Sequence, residues 1–350
     1  MKRGSGIFFL SAFLTLLWVV ASLQIVQAGQ QNVIKVKLAG SAPLEHSATK
    51  VLYIYKKYVE EKSGGRVFVE VYPAQQLFND KDLPTVLPKG AVDICQTTAD
   101  MWTGLSPSIG FLAIPFIFDN DEHFWRAAKG KLRNLIEEDL NKGRVSLLCY
   151  LDNGQIGIMF KEPVAKLEDL KGRRMRSLGR TTAYFAQSLG MAPTTMSSGE
   201  VYTALQRGTI DGLFSGVTSL DLRKFYEVAK YAFDDADYMP KAPIQNLMMN
   251  LKFFNSQPSD IKKILMDGGA EVEKYTRAVA KELDDKSRKV LVNHGVKLLK
   301  ISDEEIARWK KISVPYLIAK FKEDVDPKKV DLMLSYLEEE RKQMQKEKAK

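Results

Sequence analysis

The sequence predicts an α/β chain of two lobes with mixed sheets, hinged by strand crossovers and followed by a long helix near the C-terminus. Three observations predict it. Strand-like alternation and helical periodicity take turns from residue 33 onward, the pattern of sheets covered by helices. No Pro/Gly/Ser-rich linker divides the 350 residues, and lobes joined by strand crossovers instead of a linker are what a hinged cleft requires. Residues 259–294 carry Ile261, Ile264, Leu265, Val272, Tyr275 and Val279 at three- and four-residue steps, a run longer than the usual globular helix. The expected division is a leader over 1–28, a first lobe over 29–153 and a second over 154–240. Residues 241–350 then supply a strand returning to the first lobe, the long helix and further helices.

The elements follow in order. Residues 33–40 (VIKVKLAG) alternate and read as a strand. Residues 47–62 are helical, with Leu52, Tyr55 and Val59 on one face, and Ser63-Gly64-Gly65 ends them. A strand over 67–72, a short helix over 80–87 stopped by Gly90, and a strand over 92–97 complete a β-α-β-α-β order. Residues 123–140 read as one amphipathic helix. The apolar strand over 145–152 continues past Asn153-Gly154, the first crossover, into 155–160.

Residues 170–231 read as strand, helix, short loop, helix, strand, helix. The first strand is 173–177, and the helix over 181–189 stops at Gly190. Ser197-Ser198-Gly199-Glu200 is a capping box: the Ser197 hydroxyl takes the N3 amide while Glu200 reaches back. That helix runs to Arg207, Gly208 ends it, and 209–215 leaves as a strand. Residues 242–250 return to the first lobe, Gly268-Gly269 interrupts any heptad in the long helix, and helices follow over 302–322 and 327–341. The Lys/Glu-rich tail after Arg341 is expected to fray.

Composition narrows the class. Apolar residues make up 45% and charged residues 27%, ordinary for a folded globular chain. Lys2 and Arg3 precede an apolar stretch over 7–26, and Val26-Gln27-Ala28 offers the small residues of a cleavage site. This reads as a secretory signal peptide cut after Ala28, with an uncleaved anchor as the alternative. Two of the 52 Lys and Arg lie in the leader, leaving a net +7 against 43 acidic residues. The basic residues are scattered among acids with no aromatic stripe, which argues against nucleic acid and suits capture of small anions. Cys95 and Cys149 either pair or are buried singly, and His46, His123 and His294 lie too far apart to suggest a metal site. No cofactor is expected.

A set of motifs then points to a family. Leu170-Lys171-Gly172 is followed by Arg176, then by Glu200-x-Tyr202-x-Ala204-Leu205-Gln206-x-Gly208-x-x-Asp211-Gly212 and Lys224-Phe225-Tyr226-Glu227-Val228. Upstream stand Val59-Glu60-Glu61-Lys62-Ser63-Gly64-Gly65-Arg66, Val69-x-Val71-Tyr72-Pro73-x-x-Gln76-Leu77, Gly90-x-Val92-Asp93 and Phe111-Leu112-x-Ile114-Pro115-Phe116-Ile117-Phe118. In order and spacing these resemble the solute-binding proteins of tripartite ATP-independent periplasmic (TRAP) transporters, over nearly all of the chain past the leader. The resemblance implies the two-lobe periplasmic-binding-protein fold, with the long helix lying across both lobes. It also implies a periplasmic location, an organic-acid ligand, membrane permease subunits as partners and no catalysis. A monomer is expected.

The resemblance also places an arginine at Arg176 that grips a substrate carboxylate. The chemistry suits it: a guanidinium fork matches a carboxylate bidentately and keeps its charge, whereas an ordinary surface arginine is the bland reading. Two departures bear on the ligand. Ile156 stands where many members carry a second arginine, and Leu213-Phe214-Ser215-Gly216 replaces a polar run ending in Asn-Pro. A pocket of one arginine with Ile156 and Phe214 predicts a monocarboxylate with an apolar or aromatic body, with Gln155, Ser215 or Arg180 able to restore polarity. Trp102 is a candidate for stacking, Thr98 for a hydrogen bond and Ser41 for a contact past the first strand. Asp211 and Gly212 read as turn chemistry, and Tyr202 and Leu205 as core. No Gly-x-Ser-x-Gly, His-Glu-x-x-His, phosphate-loop or Gly-x-Gly-x-x-Gly motif supports an enzyme. A sensory receptor of the same fold is the alternative to transport.

Overall fold

The computed structural model describes residues 33–233 and 245–349. The leader and the second crossover, between residues 233 and 245, lie outside them. Alternating branched residues form β1 (Ile34–Gly40), and α1 (Ser47–Lys62) buries Val51, Leu52, Tyr55 and Val59 completely. Then come β2 (Val67–Tyr72), α2 (Leu83–Val86), β3 (Ile94–Thr98) and two 3-10 segments, Ala99–Gly104 and Pro107–Ala113. After α3 (Asp121–Lys129) and α4 (Lys131–Lys142), β4 (Val145–Leu151) and β5 (Ile156–Phe160) flank the first crossover. The next stretch holds β6 (Arg174–Ser177), α5 (Arg180–Ser188), β7 (Ala192–Thr195), α6 (Val201–Gln206), β8 (Gly212–Gly216), α7 (Val217–Leu222) and β9 (Tyr231–Phe233). β10 (Gln245–Asn250), α8 (Leu251–Ser256), α9 (Ser259–Asn293), β11 (Lys297–Leu299), α10 (Asp303–Asp324) and α11 (Pro327–Lys348) complete the chain.

Two mixed sheets carry the two lobes. The first has the order β2-β1-β3-β10-β4, with β10 antiparallel to both its neighbours. The second runs β11-β9-β5-β8-β6-β7, so the short strand after α9 extends the second lobe. Helix α9, 35 residues and about 52 Å long at 1.5 Å per residue, packs on α1 and β4 of one lobe and α7 of the other. Gly268 and Gly269 lie against Tyr55 and Leu148, where the absence of side chains lets the helix sit close.

Several sequence expectations need correction. Residues 123–140 form two helices, because Gly130 leaves the helical region and Asn120 caps the first one earlier, at the His123 amide. The expected loop after Gly190 is the edge strand β7, where Pro193 is tolerated because an edge leaves amides unpaired. The helix over 80–87 shrinks to one turn. Only half the capping box forms: Glu200 accepts the Ser197 amide at 2.9 Å, while Ser197 Oγ takes Gly199 rather than the N3 amide. The tail does not fray, since α11 continues to Lys348, with Arg341 paired to Asp119 and Glu347 to Arg126. For the cysteines, single burial, one of the two readings, is what is found: Cys95 and Cys149 are free and buried, on strands separated by β10. Two strand spacings of about 4.8 Å exceed disulfide reach, and burial pushes both thiols up.

The first crossover is clamped to α9. Asp284 accepts the Gln155 amide at 2.7 Å and the Thr218 hydroxyl at 3.1 Å, and Arg288 donates to the Gln155 side chain. Gly154 has φ +73°, and a Cβ there would lie 2.3 Å from the Asp284 carboxylate. Gly154→Ala is expected to cost about 1–3 kcal/mol in urea unfolding from the left-handed backbone alone; an unchanged midpoint would contradict the clamp.

Burial raises the Asp284 carboxyl to about 6, offset in part by its hydrogen bonds. The folded chain therefore holds this proton more tightly than the unfolded chain. Stability from this group is fully present below about pH 4 and is lost as pH rises through 6, on the order of 2–3 kcal/mol. Urea midpoints for Asp284→Asn across that window should lack this component, so the difference from wild type should change with pH.

Candidate functional site: a closed cleft around a buried arginine

The C-terminal ends of β1, β3 and β6 meet at the seam between the sheets, where an α/β lobe presents ligands. The first lobe supplies Ser41, Asp80, Thr98 and Gln245 to a cavity there. The second supplies Arg176, Ser198, Ser215, Ser219 and Arg223, and Asn153 joins from the crossover. The cavity measures about 30 Å³, room for one or two waters but not for an organic acid. Direct bonds between the lobes close it. Asp80 accepts from the Ser198 hydroxyl at 2.5 Å, and Gln75 donates to the same hydroxyl at 3.1 Å.

Asp100, buried in the first lobe, is the firmest of these contacts. Its carboxylate accepts the Thr181 and Thr182 amides at 3.0 Å and the Thr182 hydroxyl at 2.7 Å, capping α5 from across the cleft. The cap must come from outside because Gly179, at the start of α5, has no side chain to offer. His46 adds a further bond. Its Nδ1 accepts the Ala48 amide, so the proton sits on Nε2, which donates to Ser219 at 3.2 Å. Burial, reinforced by Arg223, lowers His46 to about 3 and keeps it neutral.

Arg176 lies at the centre. It is 1% exposed; Nη1 donates to the Phe214 carbonyl at 2.8 Å and Nε to the Met196 carbonyl at 3.3 Å. Nη2 is buried without a hydrogen-bond partner, and no carboxylate among the described residues forms an ion pair with it. Burial pulls the guanidinium down to about 10, so it stays cationic at neutral pH. Thr98 Oγ1 is likewise buried and unpartnered at the cavity wall.

Of the residues singled out from the sequence, Arg176, Ser215, Thr98 and Ser41 come together here, and three do not. Trp102 is fully buried in the first lobe, where the 3-10 turn after β3 directs its indole N–H to Asn246 at 3.1 Å. Strand alternation sends the Phe214 ring into the core against Phe185 and leaves Ser215 facing the cavity. Gln155 is held at the hinge by Arg288 and Asp284. Ile156 also packs in the core, and Arg180 pairs with Asp324. Ile156 and Phe214 therefore do not line the cavity, whose wall is mostly polar with Ala42 and Leu178 as its apolar members. Asp211 does the turn chemistry expected of it, accepting the Arg174 amide at 2.8 Å. Sequence reasoning missed Asp80, Asp100, Ser198 and Arg223. A wider groove of about 610 Å³ lined by Lys81, Lys89, Lys142 and Arg144 lies elsewhere on the first lobe and holds none of the candidates.

Comparison with known proteins decides the family. Residues 38–324 match the family described as "Bacterial extracellular solute-binding protein, family 7" (DctP). The chain belongs to that family. Among similar proteins, a solute-binding protein of Sulfitobacter sp. strain NAS-14.1 is 31% identical over 255 residues, 72% of this chain and 76% of that one. The C4-dicarboxylate-binding periplasmic protein DctP of Rhodobacter capsulatus is 27% identical, covering 75% and 78%. A TRAP periplasmic solute-binding protein from Desulfovibrio salexigens, solved with orotic acid, shares the fold at a TM-score of 0.83. Its identity is 21%, over 88% of this chain and 99% of the other. Family 7 proteins of TRAP transporters bind small ligands in the periplasm for membrane permease components.

Proposed function

We propose that this chain captures a small organic acid by closing its lobes around Arg176 and delivers it to the permease of a TRAP transporter. The carrying observation is the buried guanidinium whose Nη2 donates to no protein group among the described residues. Burying a cation without a counter-charge is costly, and an incoming carboxylate supplies both the charge and the acceptor. The lobe-to-lobe bonds of Asp100 and Asp80 give the closed state its own contacts, so binding shifts an existing open–closed equilibrium. The polar wall of serine, threonine and asparagine favours a ligand body with oxygen atoms over an apolar one. Cleavage after Ala28 would release a periplasmic monomer.

A thermal-shift screen of residues 29–350 against mono- and dicarboxylates tests this reading. A fitting acid at a hundred times its dissociation constant should add about 2.7 kcal/mol of stability. Stabilisation by neutral sugars or cations in place of acids would contradict it.

A further inference from the structure

Resting on that reading, we propose that Arg223 is a second ligand anchor and that the ligand is a monoanion. Its carboxylate would sit on Arg176 and a neutral carbonyl or hydroxyl oxygen on Arg223. Arg223 follows α7 directly and reaches across the seam, where Nη2 donates to the Ser41 carbonyl of the first lobe at 3.0 Å. That is the one hydrogen bond the half-buried guanidinium makes among the described residues, and no described carboxylate pairs with it. Arg223 lines the same cavity as Arg176, and its five-donor fork has donors to spare beyond the Ser41 bond.

Charge decides between ligand classes. The cavity is lined by two guanidinium groups and one carboxylate, Asp80. Asp80 accepts the Ser198 amide and hydroxyl, so it serves the lobe contact rather than either arginine directly. The lining is thus one positive charge in excess. A monoanion brings the cavity lining to neutrality; a dianion would place a further negative charge near Asp80 and Asp100, the two carboxylates that already act on Arg176. Arg223 then has a neutral acceptor to hold, and because it already grips Ser41 it ties that end of the ligand to lobe closure.

The test compares wild type, Arg223→Gln and Arg176→Ala by calorimetry with matched acids. The probes are 4-hydroxybutyrate, 4-oxopentanoate and glucuronate; pentanoate as the plain chain; and succinate as the dianion. Glutamine keeps a donor for the Ser41 carbonyl but removes the charge and the fork. Wild type should bind an oxygen-bearing monoanion best, and Arg223→Gln should weaken that acid by about tenfold or more. Pentanoate, which loses only the attraction of the charge, should weaken several-fold less than the oxygen-bearing acid, and unliganded Arg223→Gln should melt no lower than wild type, because it loses a desolvated cation. Preference for succinate or pentanoate, an equal loss for all acids, or a lower unliganded melting temperature would overturn the proposal while leaving Arg176 in place. Retained binding by Arg176→Ala, or no response of wild type to any acid, would overturn the carboxylate reading as well.

Discussion

Arg176→Ala should lower affinity for the captured acid by about two to three and a half decades, because it removes one partner of a buried charge pair. Leaving a carboxylate unpaired in a closed cleft costs roughly 3–5 kcal/mol, and each 1.4 kcal/mol is a decade. The magnitude follows from the surroundings of the guanidinium. It is 1% exposed, so water cannot take its place without reopening the lobes. Arg176→Lys should recover only part of the loss, since an ammonium restores charge without the fork and cannot also satisfy the Phe214 and Met196 carbonyls. Titration calorimetry on the three proteins gives the order wild type, lysine, alanine; equal affinities would remove Arg176 from the site.

Gly179→Val should hold the cleft open. Gly179 has extended backbone, so the substitution is not strained within its own lobe. Across the seam, a Cβ would lie 1.9 Å from the Asp100 carbonyl oxygen and 2.4 Å from its carbon, a backbone obstacle that no rotamer change relieves. The two lobes can fold but cannot meet. If only the closed form grips the acid and its share falls to about one part in a hundred, apparent affinity falls on the order of a hundredfold. Small-angle scattering should show wild type compacting with the acid and the variant staying expanded, with urea midpoints nearly equal. Compaction and tight binding by the variant would mean that closure does not depend on this contact.

The parts of this molecule visible from sequence were those written locally. The alternation in 33–40 and the apolar face of 47–62 specify a strand and a helix within their own residues, and Arg176 stood inside a dense motif. Ser41, Thr98 and Ser215 could be placed because each stands at or just past a strand end. Phe214 and Trp102 failed on orientation: one residue of strand parity separates a ring in the core from a hydroxyl in the cleft. Arg223 and Asp80 carry no local signature, because what makes them part of the site is a partner more than a hundred residues away, Ser41 and Ser198 respectively. Two signals were available and unused. Gly130 marked the break in the residue 123–140 helix, and a helix beginning at Gly179 without a capping side chain announced that another segment must supply the acceptor.

The central claim is that the cleft is built around a cation awaiting an anion, and the most direct measurement alters the ligand rather than the protein. The strongest stabilising acid and its methyl ester, which matches its shape closely without the charge, should be titrated into wild type at neutral pH. The account predicts one acid bound per chain and a loss of at least about two decades for the ester, since the buried guanidinium would then face a neutral oxygen. An ester that binds within threefold of the acid would contradict it.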